Sequence, residues 1–150
     1  DHILGVNYFR QLYNIKSYLH AGDKKLIDCI LEYSESFGFI LDAKPIIDEK
    51  LTNNTKIKVG NSELRILHTP GHSRGSVCII DDKNKIIFAG DLIFSDSIGR
   101  TDLPGGDFNT IIKSIKKSLF TSTADDYVIY PGHKSETTIL REKLSNRFLI

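Results

Sequence analysis

Apolar residues recur along this chain with two different periods, and the change falls near Pro45. Before it the spacing is helical. Val6, Phe9, Leu12 and Tyr13 return every one to three residues, which predicts a helix over 6–14. Residues 15–20 read as a short strand. Ala21-Gly22-Asp23 then breaks the chain, and Asp23 is placed to cap a helix. Leu26, Ile27, Ile30, Leu31 and Phe37 predict one amphipathic helix from 24 to 37, ended by Gly38.

After Pro45 the pattern changes to strands. Residues 56–59 and 64–68 form a hairpin about Gly60-Asn61. A second hairpin, 76–80 with 85–89, turns across residues 81–84. Its CII and IIF runs are apolar throughout, as in strands buried on both faces. Residues 91–107 read as one long Gly-rich loop. Asp107 then caps a helix to about Phe120, with Ile111, Ile112, Ile115 and Leu119 inward. Residues 127–130 give a last strand, and 138–144 a short helix. Strand hairpins flanked by helices indicate a layered α/β (α+β) domain.

Composition narrows the function classes. The chain has 150 residues, 40% hydrophobic and 26% charged, which is ordinary for a globular domain with a core. A formal charge of +1 gives no general attraction to nucleic acid or to an anionic membrane. No apolar run approaches the roughly 20 residues of a membrane span. The expected location is cytoplasmic. Cys29 and Cys78 match no zinc or redox spacing, so both are expected to be buried, reduced thiols.

Candidate chemistry sits at the strand ends. HTPGHS (68–73), FAGD (88–91) and YPGH (130–133) each follow an apolar run. They present His72, Asp91 and His133, and Asp1 and His2 open the chain. Imidazole and carboxylate are the ligand types that hold zinc or iron. Each would be unremarkable alone: a loop His is usually just exposed, and an Asp after Gly is usually a turn residue. Their order and spacing together point to a metal site assembled by the fold. His20 reads as a surface residue and His68 as structural.

In this order the three segments resemble the later metal motifs of the metallo-β-lactamase superfamily. DHILGV at the start is similar to the last half of that family's His-x-His-x-Asp-His motif. GRTDLPGGD (99–107) and TTILREKLSNRFL (137–149) resemble the short, single-domain glyoxalase II-like hydrolases. The resemblance covers nearly the whole chain. It implies a four-layer αββα sandwich, formed by residues 1–150 as a single domain lacking its N-terminal strands. Nothing precedes Asp1 and there is no Met, so a longer parent protein is expected.

The resemblance also implies the site. His72 would bind a first metal, Asp91 would bridge two, and Asp1, His2 and His133 would complete the second. The cofactors would be two divalent ions, with zinc expected and iron or manganese as alternatives. The first site is incomplete in this chain. A bridging hydroxide would attack a thioester carbonyl, and Asp1 would orient it as well as bind metal. Arg100 would contact the substrate, with Asp102 supporting it. The substrate class is a small-molecule thioester, glutathione conjugates among them. Two readings compete: a mononuclear-iron persulfide dioxygenase on the same fold, and a non-catalytic fragment with an incomplete metal site, whose exposed edge strands would favour a homo-oligomer. Nuclease and β-lactamase activities rank lower, because the chain lacks a large insertion and carries GRTDLPGG where the lactamases have their own loop.

Overall fold

The computed structural model describes all 150 residues. Two compact units divide the chain, Asp1–Leu51 and Thr52–Ile150.

The first unit begins with helix α1, Val6–Tyr13, ended by Asn14 in the left-handed region (φ 51°). Its apolar residues share a face as expected, but none is fully buried. Phe9 and Tyr13 stack on each other instead, at 6.2 Å. Strand β1, Tyr18–His20, pairs in parallel with β2, Glu49–Leu51. A bidentate bond from Arg10 to Asp48 (2.7 and 2.6 Å) ties α1 to the approach to β2.

The single helix expected over 24–37 is two. Helices α2, Lys24–Asp28, and α3, Ile30–Ser36, are separated at Cys29, whose φ/ψ of −102°/10° leaves the helical region. Asp23 precedes α2, but its side chain makes no capping hydrogen bond. Gly38 does end α3, with φ 79°. Cys29 is exposed, which corrects the expectation of a buried thiol, and Phe37 is half exposed.

The second unit is built on one six-stranded sheet. Its strands are β3 (Lys56–Val59), β4 (Ser62–His68), β5 (Val77–Asp81), β6 (Ile86–Gly90), β9 (Val128–Pro131) and β10 (Thr137–Thr138). Their order across the sheet is β10-β9-β6-β5-β4-β3. Between β6 and β9 the chain makes a small separate hairpin, β7 (Ile93–Phe94) with β8 (Ser97–Ile98). That hairpin lies inside the stretch read from sequence as one loop. β10 likewise extends the sheet beyond the strand expected to be last.

Helix α4, Phe108–Ser114, continues through a π-helical stretch, Ile115–Leu119, into α5, Phe120–Ser122. Asp107 caps it as expected, accepting from the Thr110 amide at 2.7 Å. Helix α6, Ile139–Ser145, is capped by Thr138, which accepts from the Arg141 amide at 3.2 Å. Ile111, Ile115, Leu119 and Ile139 bury fully against Cys78, Ile80, Ile87 and Ile129 of the sheet. The IIF run is not buried on both faces. Phe88 is half exposed and stacks on Tyr130 across β6 and β9, at 6.0 Å.

Candidate metal centre

The sheet topology brings three of the sequence candidates together. β4 is antiparallel to β5, β5 is antiparallel to β6, and β6 is parallel to β9. Strands β4, β6 and β9 therefore run the same way and end on the same side. His72, Asp91 and His133 each follow one of these ends.

The loop carrying His72 is pressed onto α4. Gly71 has φ 140°, and a Cβ there would lie 2.4 Å from the Ile111 backbone. Only glycine tolerates both conditions. The Gly71 carbonyl accepts from the Asp107 amide (2.8 Å), and the Pro70 carbonyl accepts from the Ser114 hydroxyl (2.6 Å). His68 buttresses the loop from below, its Nε2–H donating to the Arg74 carbonyl at 2.9 Å. This is the structural role expected for it.

His72 then bonds through Nδ1 to the Arg100 carbonyl, 2.9 Å away. A carbonyl only accepts, so Nδ1 carries the hydrogen. In the neutral ring Nε2 is left with its lone pair, the form a metal ligand needs. Asp91 follows Gly90 (φ 52°), and the Gly90 carbonyl accepts from the Gly132 amide next to His133, at 2.8 Å.

Two imidazoles face one carboxylate oxygen. Asp91 Oδ2 lies 3.7 Å from His72 Nε2 and 3.7 Å from His133 Nε2. That distance is too long for a direct N–H···O bond. Metal–ligand bonds of about 2.0–2.1 Å around a tetrahedral ion put ligand atoms about 3.3 Å apart, so a small contraction would seat a shared cation. The Asp91 side chain is only 15% exposed, whereas that of His133 is about half exposed. A shielded carboxylate flanked by two imidazoles fits a divalent ion.

Asp1 and His2 lie at the start of the first unit, with His2 Nε2 4.0 Å from Asp1 Oδ1. Arg100 and Asp102 form a bidentate pair, at 2.8 and 2.6 Å. The Arg100 guanidinium is the main reason the Asp102 carboxyl is held down to about 2. Both are engaged with each other on the surface, and the part of Arg100 that touches the centre is its carbonyl.

Three residues of structural interest escaped the sequence reading. Gly99 is one: a Cβ there would fall 1.8 Å from the Asp91 carbonyl oxygen. Phe94 is another, its ring centroid 6.2 Å from that of His133, with Lys134 Nζ over the ring at 5.6 Å from the centroid. Glu142 is the third, a fully buried carboxylate on α6. Ile139, Glu142 and Asn146 recur at three- and four-residue spacing, so a polar pair on the apolar face of α6 was the available signal.

Comparison with known proteins identifies the fold. The model of the metallo-beta-lactamase superfamily matches residues 1–133. The hydroxyacylglutathione hydrolase GloC of Haemophilus influenzae is 35% identical over 156 residues, spanning 99% of this chain and 71% of GloC. Among solved structures, the BLEG-1 B3 metallo-beta-lactamase superposes with a TM-score of 0.88 at 38% identity, covering 99% of this chain and 72% of that one. TTHA1623, solved in a di-iron-bound form, gives 0.86 at 31% identity, with the same coverage of 99% and 72%. No helix of the chain is long and apolar enough to cross a membrane.

Proposed function

Because the chain belongs to the metallo-beta-lactamase superfamily, a family of metal-dependent hydrolases, we propose that it is a thioester hydrolase of the glyoxalase II type, acting on small-molecule thioesters. The observation that carries this reading is the single carboxylate oxygen, Asp91 Oδ2, set at 3.7 Å from both imidazoles. GloC, whose name states that activity, supports the substrate class.

His72, Asp91 and His133 would hold the metal, with Asp1 and His2 assigned to the same ligand set by their motif. Bound there, a divalent ion such as zinc supplies Lewis-acid charge and brings the pKa of water from 15.7 towards about 7. The chain's own residues do the rest. The Arg100 carbonyl fixes the tautomer of His72. The Asp91 carboxylate offsets cationic charge and, with two oxygens, can serve two ions. A thiolate is a good leaving group, so the site needs no strong general acid. The Arg100 side chain would meet an anionic part of the substrate by exchanging Asp102 for a substrate carboxylate, since both present the same two-oxygen face.

The test is thiol release from S-lactoylglutathione by the zinc-loaded protein, with metal content measured alongside. Asp91→Asn and His72→Ala are expected to lose both metal and turnover. Metal uptake without thiol release from any thioester would remove the substrate class. BLEG-1 makes β-lactams the competing class, so faster hydrolysis of a chromogenic cephalosporin than of thioesters would transfer the site to them. One bound iron with oxygen uptake on a persulfide would favour the oxygenase reading instead.

A further inference from the structure

Glu142 is fully buried on α6, and the groups around it are hydrogen-bond donors. Its Oε1 accepts from the Thr137 hydroxyl at 2.6 Å. Its Oε2 accepts from the Asn146 amide at 2.7 Å and from the Asp96 backbone N–H at 3.1 Å. Asn146, also fully buried, donates in turn to the Ser97 carbonyl at 3.0 Å. Asp96 lies in the turn between β7 and β8, and Ser97 is the first residue of β8. Asp96 has φ 57°, a conformation that a non-glycine residue holds only when its surroundings impose it. Its carboxylate is bound from the same helix by Arg141 (2.6 Å) and Ser145 (3.2 Å). Helix α6 therefore grips the hairpin tip at backbone and side chain together.

The hairpin and the residues flanking it meet the centre at three points. Asp91 enters it, and the Gly99 amide closes its base on the Leu92 carbonyl at 3.2 Å. Gly99 presses on the Asp91 backbone, the Arg100 carbonyl orients His72, and the Phe94 ring lies against His133. Moving the hairpin would move all three.

We propose that Glu142 is a positioning residue for the metal centre: by clamping Asp96 and Asn146 it fixes the β7–β8 hairpin, and through it the arrangement of His72, Asp91 and His133. This rests on the metal reading above. An apolar residue would fill the same space. It would leave the Asp96 amide and the Asn146 side chain without this acceptor, and the hairpin would relax away from α6. Partners one layer out from metal ligands characteristically change affinity by 10- to 100-fold.

The experiment measures Zn2+ affinity by competition with a chromophoric chelator, and the visible d–d absorption of the Co2+ form, each well below the melting temperature of the variant. Glu142→Leu and Asn146→Ala are expected to weaken Zn2+ binding by roughly 10- to 100-fold and to shift the Co2+ bands. Glu142→Gln is expected to stay within about threefold of wild type, because its amide can face the Thr137 hydroxyl, which turns to accept. Leu119→Ala, a core deletion in another element, should lower the melting temperature yet leave affinity unchanged. If Glu142→Leu does not fold, Asn146→Ala and Glu142→Gln still decide the matter. Unchanged affinity and spectrum in the folded clamp variants would overturn the proposal and leave the metal reading standing. A Glu142→Gln loss as large as that of Glu142→Leu would overturn it too. Failure of the wild type to take up metal would remove both.

Discussion

Gly99→Ala isolates one contact at the centre. The added methyl would lie 1.8 Å from the Asp91 carbonyl oxygen, 2.9 Å from its carbonyl carbon and 3.5 Å from His72 Cβ. Real Cβ atoms essentially never come within 3.0 Å of another heavy atom. The chain must therefore open by about 1.2 Å, and the obstacle is backbone, which cannot rotate aside as a side chain can. Overpacking of this kind costs about 1–3 kcal/mol. In a protein of this size that lowers the melting temperature by about 2–4 °C per kcal/mol. The larger effect falls on the site, because disturbing the groups that support metal ligands characteristically costs about 10- to 100-fold in affinity. Thermal melting without metal and Zn2+ affinity by chelator competition read the two effects separately. Gly60→Ala is the control. Its φ of 57° carries backbone strain, but a Cβ there meets nothing within 4 Å, so it should lose some stability and no affinity. A Gly99→Ala protein that melts like wild type and binds Zn2+ within twofold of it would refute the steric argument.

Other expectations concern the helices and thiols. Thr138→Ala removes the hydroxyl that caps α6 and should destabilise the protein by about 1 kcal/mol, a loss of about 2–4 °C, with Thr138→Ser recovering most of it. At pH 8 iodoacetamide should modify exposed Cys29 and spare Cys78 until the protein is unfolded, which intact mass and peptide mapping would show. Burial pushes the Cys78 thiol up to about 12 from an ordinary value of 9.0. The folded state thus keeps a proton that the unfolded state releases. Stability on this account is intact below pH 9 and is lost as pH rises towards 12, so Cys78→Val should flatten the alkaline limb of a pH–stability curve.

The periodic elements were legible because their signals are local. The hairpin of β3 and β4 has Gly60 in the left-handed region where the sequence placed the turn, and the Asp107 cap accepts from Thr110. The helix predicted over 24–37 failed at Cys29 for the complementary reason: its apolar spacing continues through the break, and periodicity does not register one residue leaving helical φ/ψ. β7 and β8 have two residues each and no pattern of their own. Cys29 was expected inside because free cysteines usually are, but the break sets it on the exposed side. For the centre, residue types and strand-end positions, together with the family resemblance, selected His72, Asp91 and His133 as candidates. The meeting of all three depends on β4, β6 and β9 running in the same direction, and that property belongs to the sheet.

What sequence could not supply is how the ligands are held. The Arg100 carbonyl orienting His72 is a backbone atom, so the residue type at 100 does not reveal it. Gly99 acts through an absent Cβ, and Phe94 by lying near a ring 39 positions away in the chain. These contacts all come from residues 94–100, which run from β7 into the first two residues of the GRTDLPGGD segment. A ligand set read from motifs therefore names the side chains whose atoms are proposed to bind. The separation of those atoms is governed by a four-strand-residue hairpin whose tip is gripped from α6, so substitutions at Glu142 or Gly99 should alter metal affinity although neither residue is a ligand.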